Sequence, residues 1–573
     1  MAAHANGNGV VDQADAPGRV PRDWLPGLAE NWKADVVSGL MVFLIALPLS
    51  LGIAIASGAP PIAGVITAII GGVLVSLLSG SHVTINGPAA GLIVIVLGAI
   101  TELGQGQADS LAGYRYALAV GVACGVIQII LGVVRAGRWA DFFPLSVVHG
   151  MLAGIGVIIM VKQIFLALGA KAPKVGMIHL IESIPSGFAH LNPVIALIGL
   201  VSVVVMVAWP MIKSRVTALV PAPLVATVLG VALGAYFHLD QAREYTFLGR
   251  TFAVGPEYLI KSQKLPHAVG DWFTRPDFSR IATDTSIRYI VMYVFVATLE
   301  SLLTAAAVDK LDPFRRRSDM NKELIGKGIG NTLSSLIGGL PMIAEVVRSK
   351  ANIMNGARTR WANFFHGLFL LAFVALAPGL LEMIPLSALA GILVVIGYRL
   401  AHPSEFVHTW HLGKEEFAAM LITIVLVVGE DLLVGVFAGV IFGLIVVLVR
   451  GTTLNLTHHE ETGYALKFHG PLTFANFVPV RAKLDTIPPG STLTLDFSDC
   501  SMIDHTVVER LHDFEAAFRA AGGRIERVGV EHLESATGHA FSAQLIVPAA
   551  RRDPGAAVPA NLESSAAGRP AVG

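Results

Sequence analysis

The feature that most constrains this chain is a succession of apolar runs, each long enough to cross about 30 Å of hydrocarbon. They fall near 36–56, 61–79, 115–134, 145–168, 193–210, 216–236, 287–306, 361–381, 385–400, 415–429 and 431–450. Lipid offers no hydrogen bonds to a peptide group, so each run is predicted as a helix that satisfies its own backbone. Three further segments, 87–100, 324–339 and about 343–355, are too short, too Gly-rich or too broken to stand as easy spans, and with them the expected total is fourteen. A composition of 54% hydrophobic and 14% charged residues over 573 positions agrees with a polytopic membrane protein.

The same composition excludes other classes. Lys+Arg and Asp+Glu both total 41, which leaves no cationic field for nucleic acid. Cys124 and Cys500 are too few for a disulfide framework or a zinc site. No nucleophile and base pair, metal cluster or nucleotide loop stands out, so no enzyme is expected. Residues 1–23 lack the apolar core of a secretory signal and read as a disordered tail, as do the Ala-, Pro-, Gly- and Ser-rich residues 550–573.

With the N-terminus inside, the cytoplasmic turns receive fourteen Lys and Arg residues, among them Arg135, Lys213, Arg315, Arg316, Arg317 and Arg450. The short outer turns receive Arg115, Lys171 and Lys174. This asymmetry places both termini in the cytoplasm and makes 237–286 an extracellular loop. Pro144–Gly156 can be laid on Pro385–Gly397, matching Pro, Leu, Ser, Gly, Leu, Ile and Gly. These are the fifth and twelfth spans, so the repeat unit has seven spans and its second copy enters inverted. The repeats cover about 36–236 and 287–450. In the third segment of each half, Ser81–Pro88 and Gly338–Pro341 place Gly and Pro ahead of a short helix. Such breaks in corresponding places point to a transport site, where two helix N-termini favour an anion.

After residues 24–452 the pattern changes. Ala465–Phe468, Thr492–Phe497 and Arg527–Val530 read as strands, 505–521 and 531–541 as amphipathic helices, and 453–549 as a small cytoplasmic α/β domain.

Pro48, Ala59-Pro60-Pro61, the run His82–Pro88, Glu300–Thr304 with Asp309, Gly338–Pro341, Arg348 and Gly356–Thr359 together resemble the sulfate permease (SulP) family of anion transporters. Leu495–Asp504 looks like the core strand and loop of a STAS domain, and Glu323–Gly326 looks like the branch that includes bicarbonate permeases. The resemblance implies a core domain sliding against a gate domain, usually in a homodimer. It also implies an anion held between the third and tenth segments, with the first and eighth completing the pocket. Carried over by position, the anion-binding residues are Leu49, Ile53, Thr84, Asn86, Gly87, Ala344, Val346, Val347 and Arg348; the coupling residues are Glu300, Thr304 and Glu345. In related bicarbonate permeases an acid and a Thr hold Na⁺ at the first pair of these coupling positions. Here Glu300 stands for Asp, and Val346 stands where another Thr contributes.

The residues themselves add to this. An ionised Glu300 inside 287–306 costs several kcal/mol unless it is protonated, paired or holding a cation, and Thr304 shares its helical face. Arg348 either serves an oxyanion with its forked donors or snorkels to the cytoplasmic edge. Glu345 pairs with Arg348 at i+3, carries a coupling proton, or binds a cation with Glu300. His82, His149 and His366 read as packing residues, and Lys162 as snorkelling. His505 stands where regulatory STAS relatives carry a phosphorylatable Ser after Asp504, with Thr506 one residue on, so a dimer or partner interface is favoured there.

The expectation is a secondary active transporter of small inorganic anions in the bacterial inner membrane, bicarbonate first and sulfate second, coupled to Na⁺ or H⁺, with no other cofactor. Dicarboxylate transport, and a membrane scaffold acting through the STAS-like domain on a cytosolic partner, are the alternatives.

Overall fold

The computed structural model describes residues 20–546 except 138–143, 174, 213, 215–216, 218–219, 264–271, 451–452, 460–462, 532 and 536–541. Residues 1–19 of the tail expected over 1–23, the whole tail expected over 550–573, and Lys174, Lys213 and two further arginines of the cytoplasmic turns, Arg138 and Arg215, lie outside the described residues. The chain divides into two compact units. One runs to Val407 and includes Ala418–Phe442; the other joins His408–Phe417 to the chain from Gly443 onward.

The first seven segments are α1 (Trp24–Ala56), α2 (Pro61–Leu78), strand β1 (Asn86–Pro88) leading into α3 (Ala90–Leu103), α4 (Ala112–Val133), α5 (Leu145–Ala167), α6 (Pro193–Ala208) and α7 (Ala222–Tyr236). A hairpin of β2 (Arg243–Phe247) and β3 (Arg250–Val254) follows. The second seven are α8 (Asp284–Leu311), α9 (Met320–Leu336), strand β4 (Met342–Ala344) leading into α10 (Val346–Met354), α11 (Trp361–Leu376), α12 (Leu386–Leu400), α13 (Lys414–Gly429) and α14 (Leu432–Arg450). Among the described residues seven helices are long and apolar enough to cross a membrane by themselves.

Packing follows the repeat. Helix α4 lies along α9 and α1 along α11, while α12 packs on α5 and α6. Glycine lets matched helices touch backbone to backbone, since apolar lipid supplies no hydrophobic drive and close van der Waals contact must do so. A Cβ on Gly156 would lie 2.5 Å from the Gly397 carbonyl oxygen, and one on Gly397 would lie 2.7 Å from that of Gly156. These are the positions that close the two aligned sequence segments. Two more such crossings join Gly72 of α2 to Gly367 of α11 and Gly125 of α4 to Gly328 of α9.

At the centre β1 and β4 pair antiparallel, with Asn86 opposite Ala344, Gly87 opposite Ile343 and Pro88 opposite Met342. Helix α9 braces this ribbon. Asn331 Oδ1 accepts from the Met342 amide at 2.6 Å, and Thr67 Oγ1 on α2 accepts from the Leu340 amide at 2.6 Å. Non-helical backbone at membrane depth is thereby satisfied by buried side chains.

The second unit is an α/β sheet ordered β5 (Thr453–His459), β6 (Gly463–Leu472), β7 (Thr492–Ile503), β10 (Gln544–Ile546) and β9 (Leu533–Ser535), with β8 (Arg524–Val528) also on β7. Strands β6, β7 and β8 run parallel, joined through α15 (Phe474–Leu484) and α16 (His505–Ala520). Phe468 and Phe497 stack at 4.8 Å inside its core. One expectation is corrected here: the helix read over 531–541 is not formed, because Leu533–Ser535 pairs with β10 as a strand, while 536–541 lie outside the described residues.

Candidate functional site

Two short helices begin at the ribbon. Strand β1 feeds α3 and β4 feeds α10, and neither N-terminus is closed by a side-chain hydrogen bond. Free N–H groups at the start of a helix carry its positive dipole end. The ribbon is prolonged into α10 by the Glu345 amide donating to the Ile85 carbonyl and the Ile85 amide donating to Ser349 Oγ, both at 2.9 Å.

Arg348, one turn into α10, is 0% exposed. The reading in which it reaches a surface is therefore corrected: its guanidinium lies against the ribbon, with Nη2 donating to the Pro88 carbonyl at 3.3 Å. A Cβ on Gly87 would stand 2.7 Å from Nη1, so the glycine makes the room. Nε and Nη1 have no hydrogen-bond partner. The expected ion pair with Glu345 is not formed either; Glu345, half-buried as the residue preceding α10, has an unpartnered Oε1.

Glu300 on α8 is 6% exposed and neither of its oxygens has a partner. Its carboxylate occupies the place a side chain on Gly91 would take, at the start of α3. Thr304, one turn along the same face, is buried. Thr84 is buried with its hydroxyl on Ser81. Ala344 is fully buried in β4, with its amide facing Ser301 Oγ at 3.4 Å.

The remaining candidates divide. Ile53 belongs to the apolar cluster that includes Ala89, Leu92, Leu299 and Ile343, whereas Leu49 belongs to another cluster, with Leu389 and Ile392 of α12. Val346 and Val347 are exposed, by 42% and 61%. Of the histidines, His82 lies 3.3 Å from Asp23, and buried His366 faces Asn363 Oδ1 at 3.2 Å. Among the described residues no group of three or more His, Cys, Asp or Glu gathers to hold a metal.

Sequence reasoning missed Lys327. It sits on α9 with no exposure, paired with equally buried Glu323 at 2.6 Å and donating to Asn86 Oδ1. A Glu and a Lys four residues apart in a Gly-rich apolar segment were the available signal.

Two inverted sets of seven segments, each broken at its third so that half-helices start beside a short ribbon, define a multi-pass membrane transporter. The chain belongs to the sulfate permease family, whose model matches residues 32–423, and it is accordingly an anion transporter rather than an enzyme. It is 30% identical to the bicarbonate transporter BicA of Synechocystis sp., over 74% of this chain and 71% of that one. It is 23% identical to a sodium-independent sulfate anion transporter of Bos taurus, over 89% and 85%. Among solved structures, the transmembrane domain of a cyanobacterium BicA superposes with a TM-score of 0.59 at 26% identity, covering 71% of this chain and 97% of that domain.

Proposed function

We propose that this protein is a secondary active transporter carrying bicarbonate, with sulfate the second candidate, across the bacterial inner membrane in symport with Na⁺ or H⁺. The observation that carries the reading is a pair of buried ionisable groups beside the ribbon: the Arg348 guanidinium, two of whose nitrogens have no hydrogen-bond partner, and the Glu300 carboxyl, neither of whose oxygens has one. A planar oxyanion fits forked donors and two helix N-termini. The Arg348 charge is balanced when Glu300 is ionised, so an entering anion adds a negative charge that a cation or proton at Glu300 offsets, and that requirement is the basis of coupling. Thr304 supplies a second oxygen on the same face for Na⁺, and Val346 supplies none, so H⁺ is tested beside it.

Loaded with both, the site crosses between faces as a core domain slides against a gate domain. The ranking of bicarbonate over sulfate rests on the BicA likeness, and sulfate is kept by the bovine relative. The protein works as a homodimer, both termini face the cytoplasm, and the α/β unit is a STAS-like domain that engages a second copy or a cytosolic partner.

Purified protein in proteoliposomes is given labelled bicarbonate or labelled sulfate under imposed cation gradients, each with the other anion as unlabelled competitor. Saturable bicarbonate uptake little affected by excess sulfate is expected. Saturable sulfate uptake with no bicarbonate flux reverses the substrate order, and no flux of either anion removes the proposal.

A further inference from the structure

Strand β1 carries a buried cation against each of two neighbouring residues. At Gly87 it is Arg348, which makes no ion pair; at Asn86 it is Lys327, whose charge is matched by Glu323. Glu323 Oε2 also accepts from Ser79 Oγ. One turn further along α9, Asn331 takes the Met342 amide on Oδ1 and donates to Gln128 Oε1 at 2.7 Å. Glu323, Lys327 and Asn331 thus form a stripe at i, i+4 and i+8 with no exposure. The stripe grips β1 through Lys327 and β4 through Asn331. Asn86 also lies close against Gly71, where a Cβ would stand 2.6 Å from its carbonyl oxygen.

A buried ion pair is weak evidence for stability, because an apolar pair of similar volume is often at least as stable. An apolar pair could not hold an amide oxygen. We infer that Lys327 is a positioning residue for transport: it fixes Asn86, and with it the backbone of β1, at the height where Arg348 and the two helix N-termini converge. Lys327 does not itself touch the anion. This rests on the reading of the ribbon as the anion site.

The test uses the full-length protein in proteoliposomes with labelled bicarbonate and, in parallel, labelled sulfate as probes. Removing one charge would strand the other, so two double variants are compared. Glu323→Gln with Lys327→Met removes both charges and the donor to Asn86; Glu323→Gln with Lys327→Gln removes the charges but keeps a donor. Expected for the first is a melting temperature near wild type and a half-saturation concentration raised roughly tenfold, the scale of one charge-assisted hydrogen bond. Its maximal rate per folded molecule should be little changed, and the second variant should lie close to wild type. Two double variants with equal half-saturation, or losses that follow only the amount of folded protein, would make Lys327 merely structural and overturn the inference. Arg348→Gln in the same assay reports on the site separately: if it leaves half-saturation unchanged, the ribbon reading itself fails.

Discussion

Replacing Arg348 by glutamine separates binding from folding, because the structure gives the two effects opposite signs. The guanidinium is 0% exposed and makes one hydrogen bond, at 3.3 Å to the Pro88 carbonyl. Two of its nitrogens, Nε and Nη1, have no partner. Each hydrogen bond from a charged donor is worth about 1.5–3 kcal/mol when it is made. An anion that engages both therefore owes Arg348 at least about 2 kcal/mol after the costs of desolvation, which is roughly a thirtyfold change in affinity. In the absence of anion the sign reverses, because burying a charge without an ion pair costs several kcal/mol. Arg348→Gln should thus melt no lower than wild type without anion, lose the rise in melting temperature that anion gives wild type, and show half-saturation raised about thirtyfold in labelled uptake. A folded variant whose half-saturation stays within about twofold of wild type would refute the assignment of the anion to this guanidinium.

Two further predictions concern packing and pH. Gly397→Ala places a methyl 2.7 Å from the Gly156 carbonyl oxygen and 2.8 Å from Met160, and such overpacking costs about 1–3 kcal/mol; purified protein should melt several degrees lower, while Gly429→Ala, with nothing within 4 Å, should not. In the α/β unit, burial holds the Asp504 carboxyl up at about 6 from an ordinary 3.8, despite the Val507 and Phe474 amides that donate to it. The folded unit therefore keeps this proton where the unfolded chain has lost it, so the contribution of Asp504 to stability is greatest below about pH 4 and is lost as the pH rises through about 6. Hydrogen-exchange protection of the amides starting α15 and α16, corrected for intrinsic rate, should show that decline in wild type and a flatter profile in Asp504→Asn.

Much of this architecture was legible because membrane segments declare themselves by length and because close helix crossings demand small residues. Pro144–Gly156 and Pro385–Gly397 could be aligned by eye, and the glycines ending both segments prove to be the contact between α5 and α12. The broken third segments were legible for a related reason: Asn86-Gly87-Pro88 and its counterpart cannot continue a helix. What escaped was decided by long-range packing. Whether Arg348 snorkels or is buried depends on Gly87, 261 positions away in sequence. Lys327 meets Asn86 across a separation of 241 residues, and a neutral Glu–Lys pair leaves no trace in local charge. The helical pattern after residue 531 lost to a strand partner, β10, that three residues of sequence do not announce.

The central claim, that the buried Glu300 carboxylate couples cation to anion movement, is tested most directly by labelled bicarbonate uptake into proteoliposomes under a Na⁺ gradient and, separately, a pH gradient. Wild type and Glu300→Gln are compared for gradient-driven accumulation and for anion exchange without a gradient. The expected result is accumulation in wild type driven by one of the two gradients, and its loss in Glu300→Gln with exchange retained. Accumulation that survives intact in Glu300→Gln would contradict the claim and place coupling elsewhere in the molecule.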